Sequence, residues 1–255
     1  MRIAVKIGTS NLTHSTGRID IRHVEELCKV LSDIKNAGHE LVMISSGAIG
    51  MGVGKMNLKE RPTDMPSRQA MAAIGQVELM YVYDRLFSEY SHVVAQILLT
   101  GEDLSDEKRH RNFENTVMRL LELGTIPIIN ENDTIATEEI AVGDNDTLSA
   151  YVAAGVEADL LVLLSDIDGL YTADPRKYPS AELVPVVEEL TEEILASAGG
   201  SGSGLGTGGM ATKLTAARIC MEAGIDMVII NGARPALLYD AAEGRPVGTR
   251  FKGER

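Results

Sequence analysis

Cationic side chains are scarce in this 255-residue chain, where 24 Lys and Arg face 37 Asp and Glu and the net charge is −13. Nonspecific binding to nucleic acid or to an anionic membrane requires a positively charged surface. The charge balance therefore argues against both kinds of partner. It also means that a bound polyphosphate would need the few lysines and several backbone N–H groups to be concentrated at one place.

Long apolar runs and metal-ligand patterns are lacking as well. The strongest apolar run, LLVLL at 160–164, is far shorter than the roughly 20 residues of a membrane span, and the N-terminal run is too short for a signal peptide. The only two cysteines, Cys28 and Cys220, lie on the apolar sides of predicted helices and are interpreted as core residues. The five histidines show no ligand spacing. We expect a cytoplasmic protein without a structural metal and without a membrane or nucleic-acid partner.

Short apolar runs alternate with segments of helical periodicity along most of the chain. Strands are predicted at 2–7, 40–44, 93–99, 126–129, 160–164 and 227–230. Helices are predicted between Asp20 and Gly38, after Ser67, and at 112–123, 147–155 and 211–223. Strands rich in Val, Ile and Leu, separated by helix-length segments, indicate an α/β protein whose mostly parallel sheet is covered on both faces.

The glycine-rich segment 199–209 leads into Lys213 through SGSGLGTGGMATK. Glycines let backbone N–H groups approach phosphate oxygens, and a following helix N-terminus favours anions. The segment is not a P-loop, since Thr212 rather than Gly precedes Lys213, and the dinucleotide fingerprint fits only loosely. A flexible linker is the alternative interpretation. Because the chain after Gly209 is too short to bury a core alone, one domain with a loop is favoured.

Polar residues follow several predicted strands. Lys6 lies at the carboxyl end of the first strand, where ligands of open α/β sheets bind, although a lysine on an edge strand is the alternative. Ser45-Ser46-Gly47 ends the second strand and could otherwise be an ordinary helix cap. The segments NEND (130–133) and GDND (143–146) carry more amides and carboxylates than capping explains. They suit a small ligand with an ammonium group, so that a pocket for a zwitterion beside a polyphosphate site favours a kinase.

Six motifs resemble, in the same order, those of the glutamate 5-kinases of the amino acid kinase family: VKIGTSNLT, ISSGAIGMG, INENDTIAT, VGDNDTLSA, GLYTADPR and GLGTGGMATK. The resemblance extends from Lys6 to about Thr249. It implies a three-layer αβα sandwich, the amino acid kinase fold, as a single domain over 1–255 without the C-terminal PUA domain that many such enzymes carry. It also implies transfer of the γ-phosphoryl group of ATP, with Mg²⁺, to the side-chain carboxylate of L-glutamate. The product would be L-glutamyl 5-phosphate, in the first step of proline biosynthesis.

The same resemblance assigns residues to the two substrates. Glutamate is expected to contact Ser46, Asp133, Asn145, Asn130 and Asp144. ATP is expected to contact Lys6, Gly8, Gly47, Ser165, Asp166, Thr207, Gly208, Gly209, Met210, Ala211, Thr212 and Lys213. Lys6 and Lys213 are implied to stabilise the transferring phosphoryl group and Asp146 to orient them, which gives a predicted catalytic set of three. No protein side chain is assigned to the metal, and Mg²⁺ is expected to arrive with ATP.

Chemistry and partners follow from this assignment. The nucleophile would be a carboxylate with a pKa of about 4.3, already ionised at neutral pH, so no general base is needed. We expect a homo-oligomer, a dimer or a tetramer, and a hand-off of the labile acyl phosphate to glutamyl phosphate reductase; feedback inhibition by proline is what the resemblance implies.

Several other functions share some of these features. Aspartokinase, acetylglutamate kinase, carbamate kinase and uridylate kinase share the lysine and glycine elements, but NEND together with GDND favours the glutamate enzyme. A catalytically silent sensor of nucleotides or amino acids is disfavoured because Lys6, Asp146 and Lys213 are all present. The hypothesis of a dinucleotide-dependent oxidoreductase has less support still, since the dinucleotide-binding fingerprint is missing at the turn after the first strand.

Overall fold

The computed structural model of the protein describes residues 1–14, 16–135, 145–197 and 209–254. The predicted site residues Asp144, Thr207 and Gly208 lie outside these ranges. The strands are β1 Arg2–Ile7, β2 Glu40–Ile44, β3 Val94–Leu99, β4 Ile126–Glu131, β5 Leu160–Ser165, β6 Val186–Val187, β7 Asp226–Asn231 and β8 Thr249–Phe251. The helices are α1 Ile21–Asn36, α2 Ala48–Lys55, α3 Met65–Ser88, α4 Gly101–Ser105, α5 Glu107–Glu122, α6 Asn145–Gly155, α7 Glu192–Ser197, α8 Met210–Glu222 and α9 Leu237–Ala242.

The described strands form one sheet in the order β3-β4-β2-β1-β5-β7-β8-β6. The pairings from β3 through β7 are parallel, which confirms the predicted mostly parallel sheet, and β8 runs antiparallel to β7. The sequence did not predict β6 or β8, because two or three residues are too few to show a period of two. Since β1 pairs with both β2 and β5, the alternative that Lys6 belongs to an edge strand is wrong.

Alternating strand residues bury into two apolar cores, one on each face of the sheet. Ile3, Val5 and Ile7 of β1 pack in a cluster that includes side chains of α1, α3 and α9. Ala4 of β1 packs in the other cluster, with side chains of α5, α6 and α8. Helices therefore cover both faces, and the predicted three-layer αβα sandwich is confirmed. Cys28 and Cys220 are free and buried, one in each cluster, as predicted.

Side-chain caps decide where several helices begin. Asp20 caps α1 by accepting a hydrogen bond from the His23 N–H at 3.2 Å, as the sequence predicted. Helix α3 begins at Met65 rather than after Ser67, because the Asp64 carboxylate accepts from the Ser67 N–H at 2.9 Å. Helix α5 likewise begins at Glu107, five residues before the predicted start, behind the cap Asp106. Its first turns are polar, so the apolar periodicity that guided the prediction begins later.

Helices α2 and α3 contact each other backbone to backbone. A Cβ atom added at Gly75 would lie 1.8 Å from the carbonyl oxygen of Ala48, and one added at Gly52 would lie 2.0 Å from that of Met71. Only glycine fits at such contacts. The close packing fixes the N-terminal end of α2, and with it the turn that follows β2. No helix in the described part of the chain is long and apolar enough to cross a membrane.

Candidate active site

The parallel register of the sheet brings polar residues from four strands to one edge. Lys6 lies near the end of β1, and Ser45 directly follows β2. Asn130 is the penultimate residue of β4, and Ser165 is the last residue of β5. The Ser45 N–H donates to the carbonyl oxygen of Ile129 at 2.8 Å, which holds the turn after β2 against β4. The predicted meeting of these strand ends is therefore present in the fold.

The three predicted catalytic residues meet in one ion cluster. Lys6 Nζ lies 2.6 Å from Asp146 Oδ1, and Lys213 Nζ lies 3.0 Å from Asp146 Oδ2. The side chain of Asp146 is only 1% exposed, while those of Lys6 and Lys213 are 12% and 9% exposed. Thr212 adds a hydroxyl, which donates to Asp146 Oδ2 at 3.1 Å. The two ammonium groups are thus held at fixed positions by a single carboxylate.

The electrostatics of this cluster favour an anionic ligand. Burial of Asp146 acts to raise its pKa, but the charges of Lys6 and Lys213 and their hydrogen bonds outweigh burial, so that the pKa is lowered. Asp146 is therefore ionised at neutral pH. Two ammonium groups around one carboxylate leave a net positive charge in a nearly buried place, where charges act more strongly than in water.

Backbone groups add to this positive region. A Cβ atom at Gly8 would lie 3.7 Å from Lys6 Nζ, so the backbone at Gly8 runs close to the ammonium group. Gly47 has φ +90°, the left-handed conformation that glycine adopts without strain, and it caps α2. The first N–H groups of α2 and of α8, which begins after Gly209, have no partners within their own helices. Such N-termini suit phosphate oxygens.

The remaining predicted nucleotide contacts lie around β5 and α8. Ser165 ends β5 and is buried, and its hydroxyl lies 3.4 Å from Asp166 Oδ1. Asp166 also accepts from Arg176 at 3.1 Å. Met210 and Ala211 form the first turn of α8, directly before Thr212. Ser165 and Asp166 share the edge of the sheet with Lys6, because β5 pairs with β1 in parallel. The start of α8 is placed there by the contacts of Thr212 and Lys213 with Asp146.

Three of the residues predicted to hold the acceptor form a hydrogen-bonded cluster. Asn145 Nδ2 lies 2.7 Å from the carbonyl oxygen of Ser45, 2.6 Å from Ser46 Oγ and 3.2 Å from Asn130 Oδ1. Since Asn145 is followed directly by Asp146, this cluster adjoins the ion cluster. The structure thus places Ser46, Asn130 and Asn145 together, beside the two lysines.

Asp133 lies at the same end of β4, two residues beyond the strand. Burial raises its pKa, and the charges of Arg68 and Arg61 oppose that shift without cancelling it. The Nη2 atom of Arg61 lies 3.7 Å from the place that a Cβ atom at Gly50 would occupy, so this guanidinium extends over α2. A carboxylate with two arginines nearby offers complementary charges to both ends of an amino acid.

Sequence reasoning missed several residues that border the site. Asn11 is buried, its Nδ2 donates to the Leu164 carbonyl at 3.2 Å, and its side chain lies beside Gly8. Gln76 of α3 is bonded to Asn130 at 2.9 Å. Arg61 and Arg68 act on Asp133. Asn11 had a signal in its position directly after the Gly8-Thr9-Ser10 turn, whereas Gln76 lies inside a helix, far from any motif.

The side chains near the two lysines also indicate how a magnesium ion could be bound. Among the described residues, no three Asp, Glu, His or Cys side chains are grouped as a metal site. Mg²⁺ usually keeps several waters and is bound by substrate phosphates with one or two carboxylates. The residues present fit an ion that is held chiefly by the nucleotide; Asp166, which directly follows β5 and pairs with Arg176, is a carboxylate near the predicted nucleotide contacts.

Comparison with known proteins identifies the family of this chain. The model of the amino acid kinase family matches residues 1–231. The chain is 51% identical over 251 residues to the glutamate 5-kinase of Caldanaerobacter subterraneus subsp. tengcongensis, covering 98% of this chain and 68% of that protein. It is 52% identical over 249 residues to the glutamate 5-kinase of Clostridium tetani, covering 98% and 93%.

Solved structures with the same fold are more distant in sequence. The isopentenyl phosphate kinase of T. acidophilum has a TM-score of 0.69 at 17% identity, with 99% of this chain and 100% of that chain covered. The carbamate kinase of Giardia lamblia has a TM-score of 0.69 at 17% identity, with 99% and 98% covered. At such identities the structures show the fold alone, whereas the family match and the relatives at about half identity show the family. The chain belongs to the glutamate 5-kinases of the amino acid kinase family.

Proposed function

We propose that this chain transfers the γ-phosphoryl group of ATP to the side-chain carboxylate of L-glutamate, forming L-glutamyl 5-phosphate and ADP in the first step of proline biosynthesis. One observation carries the proposal: the cluster of Lys6, Asp146 and Lys213 adjoins the cluster of Ser46, Asn130 and Asn145. A positive place for a phosphoryl group thus lies next to a polar place for a small acceptor.

The reaction requires positioning more than proton transfer. A carboxylate oxygen of glutamate forms a bond to the γ-phosphorus while the bond from that phosphorus to the leaving oxygen of ADP breaks, and ADP keeps the electron pair. The glutamate side chain is ionised at neutral pH, so no proton has to be removed from the nucleophile. The protein must bring two anions together and stabilise the charge on the phosphoryl oxygens as it is transferred.

The phosphoryl side of the proposed site contains the positive groups. Lys6 and Lys213 are assigned to the phosphoryl oxygens, and Asp146 is the residue that positions both lysines. The backbone N–H groups near Gly8 and Gly47 and the first turn of α8, from Gly209 onward, are assigned to the phosphates. When bound with ATP, Mg²⁺ supplies further neutralisation of phosphate charge.

The acceptor side of the proposed site combines both signs of charge. Asp133 is assigned to the ammonium group of glutamate, and Ser46, Asn130 and Asn145 supply hydrogen bonds. Arg61 and Arg68, whose charges act on Asp133, suit the α-carboxylate of the same ligand. The proposal includes four further expectations from the sequence: one kinase domain, a homo-oligomer, a cytoplasmic location and a hand-off of the product to glutamyl phosphate reductase.

A substrate panel tests the proposal. ADP release is measured with L-glutamate, L-aspartate, N-acetylglutamate, carbamate and UMP, each with and without proline, and the acyl phosphate is trapped with hydroxylamine. We expect L-glutamate to give the highest kcat/KM and a trapped hydroxamate. A preference for UMP or aspartate, or ADP release without hydroxamate, would contradict the assignment.

A further inference from the structure

Gln76 connects helix α3 to the proposed acceptor site, although it belongs to none of the motifs. Its side chain is buried, and its Oε1 accepts a hydrogen bond from Asn130 Nδ2 at 2.9 Å. Gly75, the preceding residue, lets α3 approach α2 closely at this level. A glutamine inside an apolar interface is costly unless its polar atoms find partners, so the bond to Asn130 has a clear structural reason.

The bond from Asn130 to Gln76 favours one direction for the hydrogen bonds that follow. An amide has a donor nitrogen and an acceptor oxygen, so a partner at one atom determines which way the other is turned. Because Asn130 Nδ2 donates to Gln76, Asn130 Oδ1 is the acceptor of the same amide. It accepts from the Glu131 N–H at 2.9 Å and from Asn145 Nδ2 at 3.2 Å. Asn145 therefore donates to Asn130, and Asn130 donates to Gln76.

The bond to Asn130 is one of the contacts that orient Asn145 towards the ligand. Asn145 Nδ2 lies within 3.2 Å of three oxygens of the protein, on Ser45, Ser46 and Asn130, and its two hydrogens are shared among them. The Oδ1 atom of the same amide is consequently turned away from those acceptors and is available in the role of acceptor. An acceptor oxygen suits the ammonium group of an amino acid, whereas an amide turned the other way would present N–H groups and favour an anion.

We propose that Gln76 is a positioning residue for the acceptor substrate, which holds Asn130, and through it Asn145, in the orientation that receives an ammonium group. This inference rests on the proposed function, because it concerns recognition of glutamate. If the Gln76 acceptor is removed, the buried Asn130 Nδ2 loses its partner on α3. Asn130 is then held through its oxygen alone, by the Glu131 N–H, and the position of that oxygen relative to Asn145 is less closely fixed.

The test compares three substitutions by steady-state kinetics with glutamate and ATP varied separately. Gln76→Met keeps the length and burial of the side chain but removes the acceptor. Gln76→Glu keeps an acceptor oxygen at the same place and is the rescue variant. Leu79→Ala removes apolar packing from the same helix without removing a polar group, and serves as the control for loss of stability.

We expect Gln76→Met to raise the KM for glutamate about tenfold, on the order of the cost of leaving a buried donor unsatisfied. Its KM for ATP should be unchanged. Gln76→Glu should stay within about threefold of the wild-type glutamate KM, since an acceptor is retained. Leu79→Ala should lower Tm and leave both KM values unchanged.

A double substitution distinguishes action through Asn130 from a general effect. In an Asn130→Ala background, Gln76→Met should have little further effect on the glutamate KM, because the partner through which Gln76 acts is already missing. Effects that multiply fully would overturn the inference, and so would a wild-type glutamate KM in Gln76→Met. If the methionine variant does not fold, Gln76→Asn, whose amide is one methylene shorter, is judged by the same criteria.

Failure of this inference is distinguishable from failure of the proposed function. A wild-type protein without glutamate-dependent ADP release overturns both. A wild-type protein that phosphorylates glutamate, together with a Gln76→Met variant that binds glutamate equally well, overturns only the role of Gln76.

Discussion

Lys213 and Asp146 are 67 positions apart in the chain, yet Lys213 Nζ lies 3.0 Å from Asp146 Oδ2 in a nearly buried ion pair. The second carboxylate oxygen holds Lys6, which comes from the central strand β1. A buried carboxylate that holds two lysines is a costly arrangement for stability alone, since desolvation offsets much of the attraction. The arrangement is explained if the two ammonium groups must be kept at fixed positions for a phosphoryl group.

Replacement of Lys213 tests that function. We expect Lys213→Ala to lower kcat about a hundredfold, the scale of a preorganised electrostatic contact in a transition state. Lys252→Ala is the matched control, because Lys252 is exposed and pairs only with the exposed Glu188 among the contacts described. The measurement is the rate of glutamate-dependent ADP release. A variant that keeps more than half of the wild-type kcat would rule out the role.

Replacement of Asp146 should affect stability as well as turnover. Asp146→Asn leaves two nearly buried lysines without a counter-charge, and breaking a buried pair in this way costs about 3–5 kcal/mol. We expect Tm at pH 7 to fall by about 10 °C, given roughly 2–4 °C for each kcal/mol in a protein of this size. We expect kcat to fall together with Tm, because both lysines lose their orientation.

The pH dependence of the Asp146→Asn effect follows from the lowered pKa of Asp146. A carboxyl whose pKa is lowered by folding contributes stability that is fully present above the pKa of the unfolded chain, about 3.9, and that is lost as pH falls towards the lower pKa of the folded state. The Tm difference between wild type and variant should therefore stay constant from pH 7 to about pH 5 and decrease below about pH 4. Calorimetry across this range measures it, and a difference that grows on acidification would contradict the ion pair.

Asp133 is predicted to lower the stability of the folded protein while it strengthens the binding of glutamate. Its pKa is raised, chiefly by burial, so ionisation of Asp133 costs more free energy in the folded protein than in the unfolded chain. We expect Asp133→Asn to raise Tm at pH 7 by about 2 °C, and the gain should disappear as pH falls below the unfolded pKa of about 3.9, where both states bind the proton. The same variant should raise the KM for glutamate about tenfold or more, since a charge-assisted contact to the substrate ammonium is lost. An unchanged glutamate KM would remove Asp133 from the site.

The contact between α2 and α3 gives a prediction about packing. Gly75→Ala would place a methyl group 1.8 Å from the backbone oxygen of Ala48, which cannot move without shifting α2. We expect a loss of about 3 kcal/mol, at the upper end of overpacking costs, together with a raised glutamate KM, because α2 begins next to Ser46. Gly50→Ala is the matched control on α2, since its methyl would make only ordinary contacts at 3.7 Å or more. The control should be neutral or slightly stabilising, as alanine favours helix; equal melting temperatures for the two variants would contradict the proposed contact.

Much of the fold could be predicted because its signals are local. The bounds of β1 and β2 were predicted without error, since turns and charged residues border short apolar runs. The starts of α3 and α5 were missed because capping by Asp64 and Asp106 depends on hydrogen bonds that apolar periodicity does not record. Strand β8 was missed because three residues have no pattern of their own and pair with β7 only after the chain has folded back.

The candidate site divides in the same way. Lys6, Ser46, Asn130, Asp133, Asn145, Asp146 and Lys213 were predicted by their motifs, and the described structure brings them to one edge of the sheet. Gln76 and Asn11 were not predicted, because a single amide in a helix or turn has no local signature until its partner is known. The assignments of Asp144, Thr207 and Gly208 lie outside the described residues and stay predictions.

By itself, the sequence determined the alternation of strands and helices, the mostly parallel sheet and the family, because each depends on residues that are close in the chain. The resemblance implied that Asp146 orients Lys6 and Lys213, but only the tertiary structure decided that each lysine pairs with a different oxygen of that carboxylate, and that α3 supplies an acceptor to Asn130. Those contacts join segments far apart in sequence. Their geometry depends on strand register and on how closely glycine lets two helices approach, which no local pattern specifies.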